Sequence, residues 1–358
     1  MGSSCRRFHS PRETASQSGL TEGGVALSAT GRLGRVDPSC APLAAGRVVL
    51  SLYRSTVLNV SGFPPVARAI RRYGFRLGAR RFVAGHDVEE ALPALRELEG
   101  SGRAVIVDVL GEYVSDVERA RAMAVDVAAT IDALHAAGIP PVVSLKPTQL
   151  ALALDTRVAS DLAIDLARRT EGHGGRIALD MEDVRYVDGT LDLLRALWDA
   201  GLTRSSGVLQ AYLHRTPDDL ETLLEATPDV SSMELRIVKG AYHESPDVAF
   251  HDVPTIRRAY VALAERAWRA GAKVNVATHD DGIITELVAY ARGAGLGPER
   301  IEFQLLYGMK PKLQADLVQA GHSVRIYVPV GRDWYGYFSR RLAERPANLA
   351  LVLRGLVR

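Results

Sequence analysis

The sequence predicts an α/β fold, a distorted (βα)8 barrel of the TIM type carrying an N-terminal helical extension. Three observations predict it. Short β-branched runs recur eight times after Gly102, longer segments with a helical apolar period separate them, and polar residues gather just past the ends of the runs. The runs are AVIVDV (104–109), VVSL (142–145), RIALDM (176–181), GVLQAYL (207–213), ELRIVK (234–239), KVNVAT (273–278), IEFQLL (301–306) and VRIYVP (324–329). Between them lie segments such as VERARAMAVDVAATIDALHAAG and VPTIRRAYVALAERAWRAG, helical by period and closed by glycine. Seven such segments separate the runs and an eighth follows the last, which is the count of a closed barrel. A doubly wound open sheet shares this alternation, because strand order is not written in a sequence. Its usual phosphate fingerprint, G-x-G-x-x-G, is absent after the first run, where Leu110, Gly111 and Glu112 follow.

Before the barrel come two other segments. Residues 1–45 are rich in Gly, Ser, Arg and Pro with little apolar period, and read as a disordered tail. Residues 46–102 form the helical extension, with patterns over 47–82 and a further helix from His86 to Glu99 that kinks or starts at Pro93. Residues 103–358 are the catalytic barrel. The opening stretch has no apolar core of the kind a secretory signal needs, and no apolar run approaches the roughly 20 residues that span a bilayer. A cytoplasmic location is expected.

Composition narrows the function. The 44 basic and 42 acidic side chains leave a formal charge of +2, so no nucleic-acid partner is expected. Both cysteines, Cys5 and Cys40, precede the barrel, so its body has neither a disulfide framework nor a cysteine metal site. A hydrophobic content of 47% is ample for one large core.

The strand ends carry the chemistry. In chain order they present Asp108 and Glu112, Lys146, Asp180 and Glu182, Gln210, Arg236 and Lys239, Thr278 and His279, Gln304 and Tyr307, and Tyr327. Barrel enzymes keep their active sites at this end, so the coincidence argues for an enzyme over a non-catalytic metabolite-binding barrel. Lys146 reads either as a loop lysine or as a Schiff-base nucleophile, and with Lys239 it leaves an aldolase- or lyase-type enzyme open. Asp180, Glu182 and Asp183 beside His279 suggest a divalent metal, but Lys146, Arg236 and Lys239 would repel one, so none is expected. In LRIVKGAYHE (235–244), Gly240 and Ala241 permit close approach of a ligand to the backbone while Arg236 and Lys239 supply charge. That pattern reads as phosphate or pyrophosphate binding. His279 alone reads as a satisfied, half-buried imidazole.

The last segment, SVRIYVPVGRDWYGYFSRRLAERPANL (323–349), reads as a strand broken at Pro329 and Gly331 and then a helix from Arg332 to Arg345. Trp334, Tyr337, Phe338 and Leu342 make its apolar stripe, and Arg341 falls within that stripe. Glu344 lies three and four residues beyond Arg341 and Arg340, within reach of both. Two adjacent arginines braced by a glutamate form a clamp for a carboxylate, or else a solvated surface network.

The run Tyr327-Val328-Pro329-Val330-Gly331 with Tyr337-Phe338-Ser339-Arg340-Arg341-Leu342-Ala343-Glu344 resembles the signature of the monofunctional bacterial proline dehydrogenases. The resemblance spans roughly residues 48–350, and His243 after Tyr242 departs from it. It implies a FAD enzyme that oxidises L-proline to 1-pyrroline-5-carboxylate by hydride transfer to flavin N5, the first step of proline catabolism to glutamate. Asp180 and Arg236 are the implied catalytic pair, with Arg236 near the reactive part of the flavin. Arg340 and Arg341 would hold the substrate carboxylate, and Lys146 would lie beside it paired with Asp180. Glu112 would pair with the first arginine and gate entry, and Tyr327 would select proline over hydroxyproline. Tyr242, Tyr327 and Leu209 or Leu213 would wall the pyrrolidine ring. Met181, Gln210, Arg236, Lys239, Gly240, Ala241, Thr278 and His279 are the implied cofactor contacts. The aldehyde dehydrogenase half of bifunctional relatives is not expected in a chain of this length. By family analogy the electrons pass to a quinone, with peripheral membrane contact at the inner face.

Overall fold

The computed structural model describes residues 63–111 and 114–344. Eight parallel strands close into a barrel in sequence order: β1 (Ala104–Val109), β2 (Val142–Leu145), β3 (Arg176–Leu179), β4 (Ser206–Gln210), β5 (Glu234–Val238), β6 (Lys273–Val276), β7 (Ile301–Leu306) and β8 (Ser323–Val330). β8 closes on β1 in a register from Ala104↔Arg325 to Val109↔Val330. An open doubly wound sheet is thereby excluded. Two helices precede the barrel, α1 (Pro64–Leu77) and α2 (Val88–Gly100). Eight follow the strands: α3 (Val117–Ala136), α4 (Thr156–Gly172), α5 (Val187–Asp199), α6 (Thr216–Ala226), α7 (Val253–Ala270), α8 (Asp281–Gly293), α9 (Pro311–Gln319) and α10 (Trp334–Glu344). The expected disordered tail and the start of the extension, up to residue 62, lie outside the described residues. No helix among the described residues is long and apolar enough to cross a membrane.

Aspartates start many of the helices by accepting an otherwise orphaned backbone N–H. Asp87 receives Glu90 before α2, Asp116 receives Arg119 before α3, Asp155 receives Arg157 and Val158 before α4, and Asp252 receives Thr255 before α7. The helix expected from His86 therefore begins at Val88, and it runs through Pro93 without ending there.

Strand parity divides the barrel into two packings. On β1, Val105, Val107 and Val109 join the layer shared with the outer helices, while Ile106 meets Val142, Ala178 and Tyr327 in a small apolar cluster within the barrel. Near the opposite end from the cavity, the inward positions are charged. Glu302 accepts two hydrogen bonds from Arg325 (2.8 and 3.0 Å), with Arg176 at 3.7 Å and Lys273 at 3.9 Å. Burial pushes the Glu302 carboxyl up, but Arg325, Lys273 and Arg176 overcome it and hold it at about 2.

A depressed carboxylate stabilises the fold above its unfolded pKa and loses that contribution as pH falls toward its folded value. Glu302→Gln is therefore expected to cost on the order of 3 kcal/mol at neutral pH, and to flatten the loss of stability between about pH 4 and 2. Urea unfolding followed across that pH range measures both effects. Parallel curves for the variant and the parent would contradict the assignment.

Four strands are shorter than their apolar runs suggest, and the reason bears on function. The expected strands ran through Met181, Leu213, Lys239 and Thr278, whereas the ladders end at Leu179, Gln210, Val238 and Val276. Asp180, Ala211 and Ala277 still donate one backbone bond each to a neighbouring strand, at 2.8, 2.8 and 3.1 Å. The chain leaves the sheet there and turns its side chains over the barrel mouth. β8 departs from expectation in the other direction, running through Pro329 to Val330. Pro329 has no N–H to donate, but the strand still accepts on both sides: its carbonyl takes Ala84 N–H (3.0 Å), and Val330 O takes Leu110 N–H (2.7 Å). Gly331 then turns the chain at φ +135°, with the Leu110 backbone too near to admit a side chain comfortably.

α10 supplies the lid of the mouth. Trp334, Tyr337, Phe338 and Leu342 are buried with Phe75, Phe82, Val83 and Leu110, as the apolar stripe predicts. Gly74 on α1 lets the Trp334 ring approach within 3.2 Å of where a Cβ would stand.

Candidate active site

A cavity of about 740 Å³ opens at the C-terminal ends of the strands. Its size falls within the range of about 300–1,000 Å³ in which proteins hold small molecules and cofactors. The floor is a polar ring built around Asp180. Its Oδ1 accepts from Ser144 Oγ (2.6 Å) and from Arg236 Nη1 (2.6 Å), and its Oδ2 accepts from the Tyr327 hydroxyl (2.6 Å). Arg236 also donates through Nε to Gln304 Oε1 (2.6 Å), which fixes the guanidinium plane. Its charge lies 5.5 Å from the Tyr327 ring centre. Burial, reinforced by the Asp108 and Asp180 carboxylates, pushes the Tyr327 hydroxyl well above its ordinary range, so it stays a donor.

Lys146 enters this ring from the turn after β2. It donates to Asp108 Oδ1 at 2.7 Å and lies 3.9 Å from Asp180 Oδ2. The expected pairing with Asp180 is thus the longer of two, and Asp108 is the nearer partner. Glu182 is buried behind Asp180, where Thr148 donates to it through N–H (2.9 Å) and Oγ1 (2.7 Å). Burial raises its carboxyl, and Thr148 and Lys146 oppose the rise.

One side of the cavity is cationic. Lys239 and Arg257 both bind Asp280, Arg257 at 2.9 Å, and burial notwithstanding they hold that carboxyl at about 2. The same Asp280 caps α8 through the Gly282 and Ile283 N–H groups, and Gly282 lines the cavity. Gly240 adopts φ +113°, and a Cβ there would overlap the Tyr212 ring, so only glycine lets the backbone pass at this point. His279 accepts the Leu306 N–H at Nε2 (3.1 Å), which places its ring proton on the other nitrogen. Gln210 donates to the Glu182 carbonyl (2.8 Å).

Arg340 and Arg341 line the same cavity from α10, with Tyr337. Arg341 is half-buried and lies 5.1 Å from the Tyr337 ring centre, while Arg340 is exposed. Both arginines therefore share one space with Lys146, Asp180 and Lys239, as a clamp requires. Met181, Ala241, Tyr242 and Thr278 complete the expected lining. Glu112 lies outside the described residues, as does the side chain of Glu344. Among the described residues no group of three or more His, Cys, Asp or Glu is arranged to hold a metal ion.

Leu209 and Leu213 do not wall the cavity. Both are buried in the core; Val208 lines the cavity in place of Leu209 because alternate residues of β4 face opposite ways, and Leu213 lies beyond the strand. Sequence reasoning placed Asp108 among the strand-end polar groups without giving it a role, and passed over Ser144, Arg257, Asp280 and Tyr337 as site residues. A period-two reading of β2 would have put Ser144 on the inner face. Nothing local marks Arg257, which lies on a helix and meets Asp280 only in three dimensions.

Comparison with known proteins bears on the family and the fold. The family model described as proline dehydrogenase matches residues 91–353. The chain is 40% identical over 312 residues to a proline dehydrogenase of Deinococcus radiodurans, covering 86% of this chain and 98% of that protein. It is 36% identical over 301 residues to proline dehydrogenase 2 of Bacillus subtilis, covering 84% and 97%. The crystal structure of proline utilization A from Bdellovibrio bacteriovorus inactivated by N-propargylglycine superposes with a TM-score of 0.70 at 23% identity, over 80% of this chain. A proline utilization A mutant from Bradyrhizobium japonicum gives 0.64 at 23% identity, over 81%. The chain spans about a third of those two structures, 34% and 32%, and the likeness to them is one of fold.

Proposed function

Because this chain belongs to the proline dehydrogenase family, we propose that it oxidises L-proline to 1-pyrroline-5-carboxylate with bound FAD and passes the electrons to a quinone. The observation that carries this reading is the meeting of Arg340 and Arg341 with Lys146, Asp180 and Arg236 around one cavity. The donor set suits the cofactor. Lys239 and Arg257, with the start of α8, offer the positive charge that a pyrophosphate needs, and Arg236 offers a fixed donor at the floor. Met181, Gln210, Gly240, Ala241, Thr278 and His279 would hold the rest of the group.

When bound, FAD would supply a two-electron acceptor, at N5, for the hydride of the ring carbon that lies on the other side of the nitrogen from the carboxylate-bearing carbon. The chain supplies position and field. Arg340 and Arg341 bind the substrate carboxylate in the forked geometry that suits a guanidinium, so the ring cannot turn. Asp180 holds Arg236 and Tyr327 in fixed orientations before substrate arrives. The ring of Tyr327 crowds the substrate carbon that would bear the hydroxyl of hydroxyproline, and Tyr337 and Tyr242 shield the space from water. The chain acts as a cytoplasmic protein in peripheral contact with the inner face of the membrane, where a quinone is reached.

The aldolase-type reading loses its support. Lys146 ends on Asp108 and Lys239 ends on Asp280, not in the apolar surroundings that favour a neutral lysine nucleophile. The absorbance spectrum of the purified protein tests the proposal. A flavin spectrum that bleaches on addition of L-proline is expected. A colourless protein, or a flavin band unmoved by L-proline, would overturn it.

A further inference from the structure

Asp108, the penultimate residue of β1, is 1% exposed, and its carboxylate holds the Lys146 ammonium at 2.7 Å. Three groups act on it from other elements: Lys146 after β2, Asp180 after β3 and Tyr327 on β8, with Arg236 on β5 joining them through Asp180. Glu182 lies farther along the floor, while Arg340 and Arg341 face the space from α10. Asp108 and Asp180 thus stand with Lys146 and Arg236 at the floor; burial and the Asp180 charge push the Asp108 carboxyl up, and the Lys146 ammonium at 2.7 Å opposes that rise. Asp180 is already shared among Ser144, Arg236 and Tyr327, and it meets Lys146 only at 3.9 Å. Of the two carboxylates, Asp108 is therefore the one that anchors the Lys146 ammonium.

We propose that Asp108 is a positioning residue for the oxidation: acting through Lys146, it sets the charge balance at the cavity floor and with it the pH at which the bound substrate nitrogen releases its proton to water. The proposal rests on the reading of the substrate as proline. The nitrogen of that substrate is a secondary ammonium in neutral water. One N–H proton must go to water before the lone pair can form the C=N bond. The C–H bond then breaks with its electron pair leaving as hydride to the bound two-electron acceptor, and the second N–H proton leaves as the cationic imine becomes neutral. A floor made more positive favours the first proton loss at lower pH, and one made more negative delays it.

Asp108→Asn keeps the size and an acceptor oxygen but removes the charge. The expected result is that the acid limb of the kcat–pH profile, measured with a dye acceptor, moves to lower pH by about one unit. Lys146→Met should move it the opposite way. A second readout needs no turnover. Cyclopentanecarboxylate carries the substrate carboxylate without the nitrogen, and equilibrium dialysis should show Asp108→Asn binding it about 3- to 10-fold more tightly, because one repelling charge is gone. A merely structural role would weaken that binding and lower kcat equally at every pH, and this pattern would overturn the proposal. Asp108→Ser repeats the binding arm if the asparagine variant fails to fold. A parent enzyme that gives no dye reduction with L-proline would refute the substrate reading instead, and the dialysis result would still judge the charge at Asp108.

Discussion

Arg341→Lys is expected to raise the KM for L-proline about 30-fold while leaving the bound flavin in place. The figure corresponds to one charge-assisted hydrogen bond, about 2 kcal/mol, lost when a forked guanidinium becomes a single ammonium. Flavin content should not change, because Arg341 reaches the cavity from α10, whereas the cationic side of the cavity is built from Lys239, Arg257 and the start of α8. The lysine stem still covers Tyr337, so the helix keeps its packing. Steady-state kinetics with a dye acceptor and the ratio of flavin to protein absorbance read the two quantities separately. An unchanged KM would remove the clamp from the account.

The second large effect falls on Asp180. Its two oxygens accept from Ser144, Arg236 and Tyr327, each at 2.6 Å, and Lys146 stands close by. Asp180→Ala leaves Arg236 buried with its nearest anion gone, a loss of roughly 3–5 kcal/mol when one partner of a buried pair is removed. The expected result is a fall in kcat/KM of about 10³-fold, with the loss in kcat exceeding any rise in KM. Asp180→Asn should lose less than alanine, because an amide still accepts from Tyr327. Variants retaining activity within threefold of the parent would show that the ring around Asp180 orients nothing in the reaction.

Much of the architecture was legible before any coordinates. AVIVDV, VVSL and IEFQLL coincide with β1, β2 and β7 to the residue, because β-branched runs bounded by turns leave little choice of pairing partner or length. The same reasoning overran β3 and β6, because Asp180 and Ala277 keep one ladder bond after the strand has ended. Apolar character also misled at Leu209. A leucine beside a presumed ligand wall looks suited to it, yet its parity on β4 turns it outward to the helices.

The arginine helix shows where sequence reading stops. The spacing of Trp334, Tyr337, Phe338 and Leu342 fixes which face of α10 is buried, and it places Arg341 within that face, because a helix repeats every 3.6 residues whatever surrounds it. What that face covers is another matter. Tyr327 finds Asp180 across 147 residues of chain, and Arg236 finds Asp180 across 56. Such meetings depend on the barrel closing, with β8 returning to β1 and all strand ends brought to one rim. Local periodicity determined the elements and the faces they bury. Barrel closure alone decided that Asp108, not Asp180, is the nearer anchor of Lys146, because distances between strand ends follow from the closed sheet's register, which no single segment encodes.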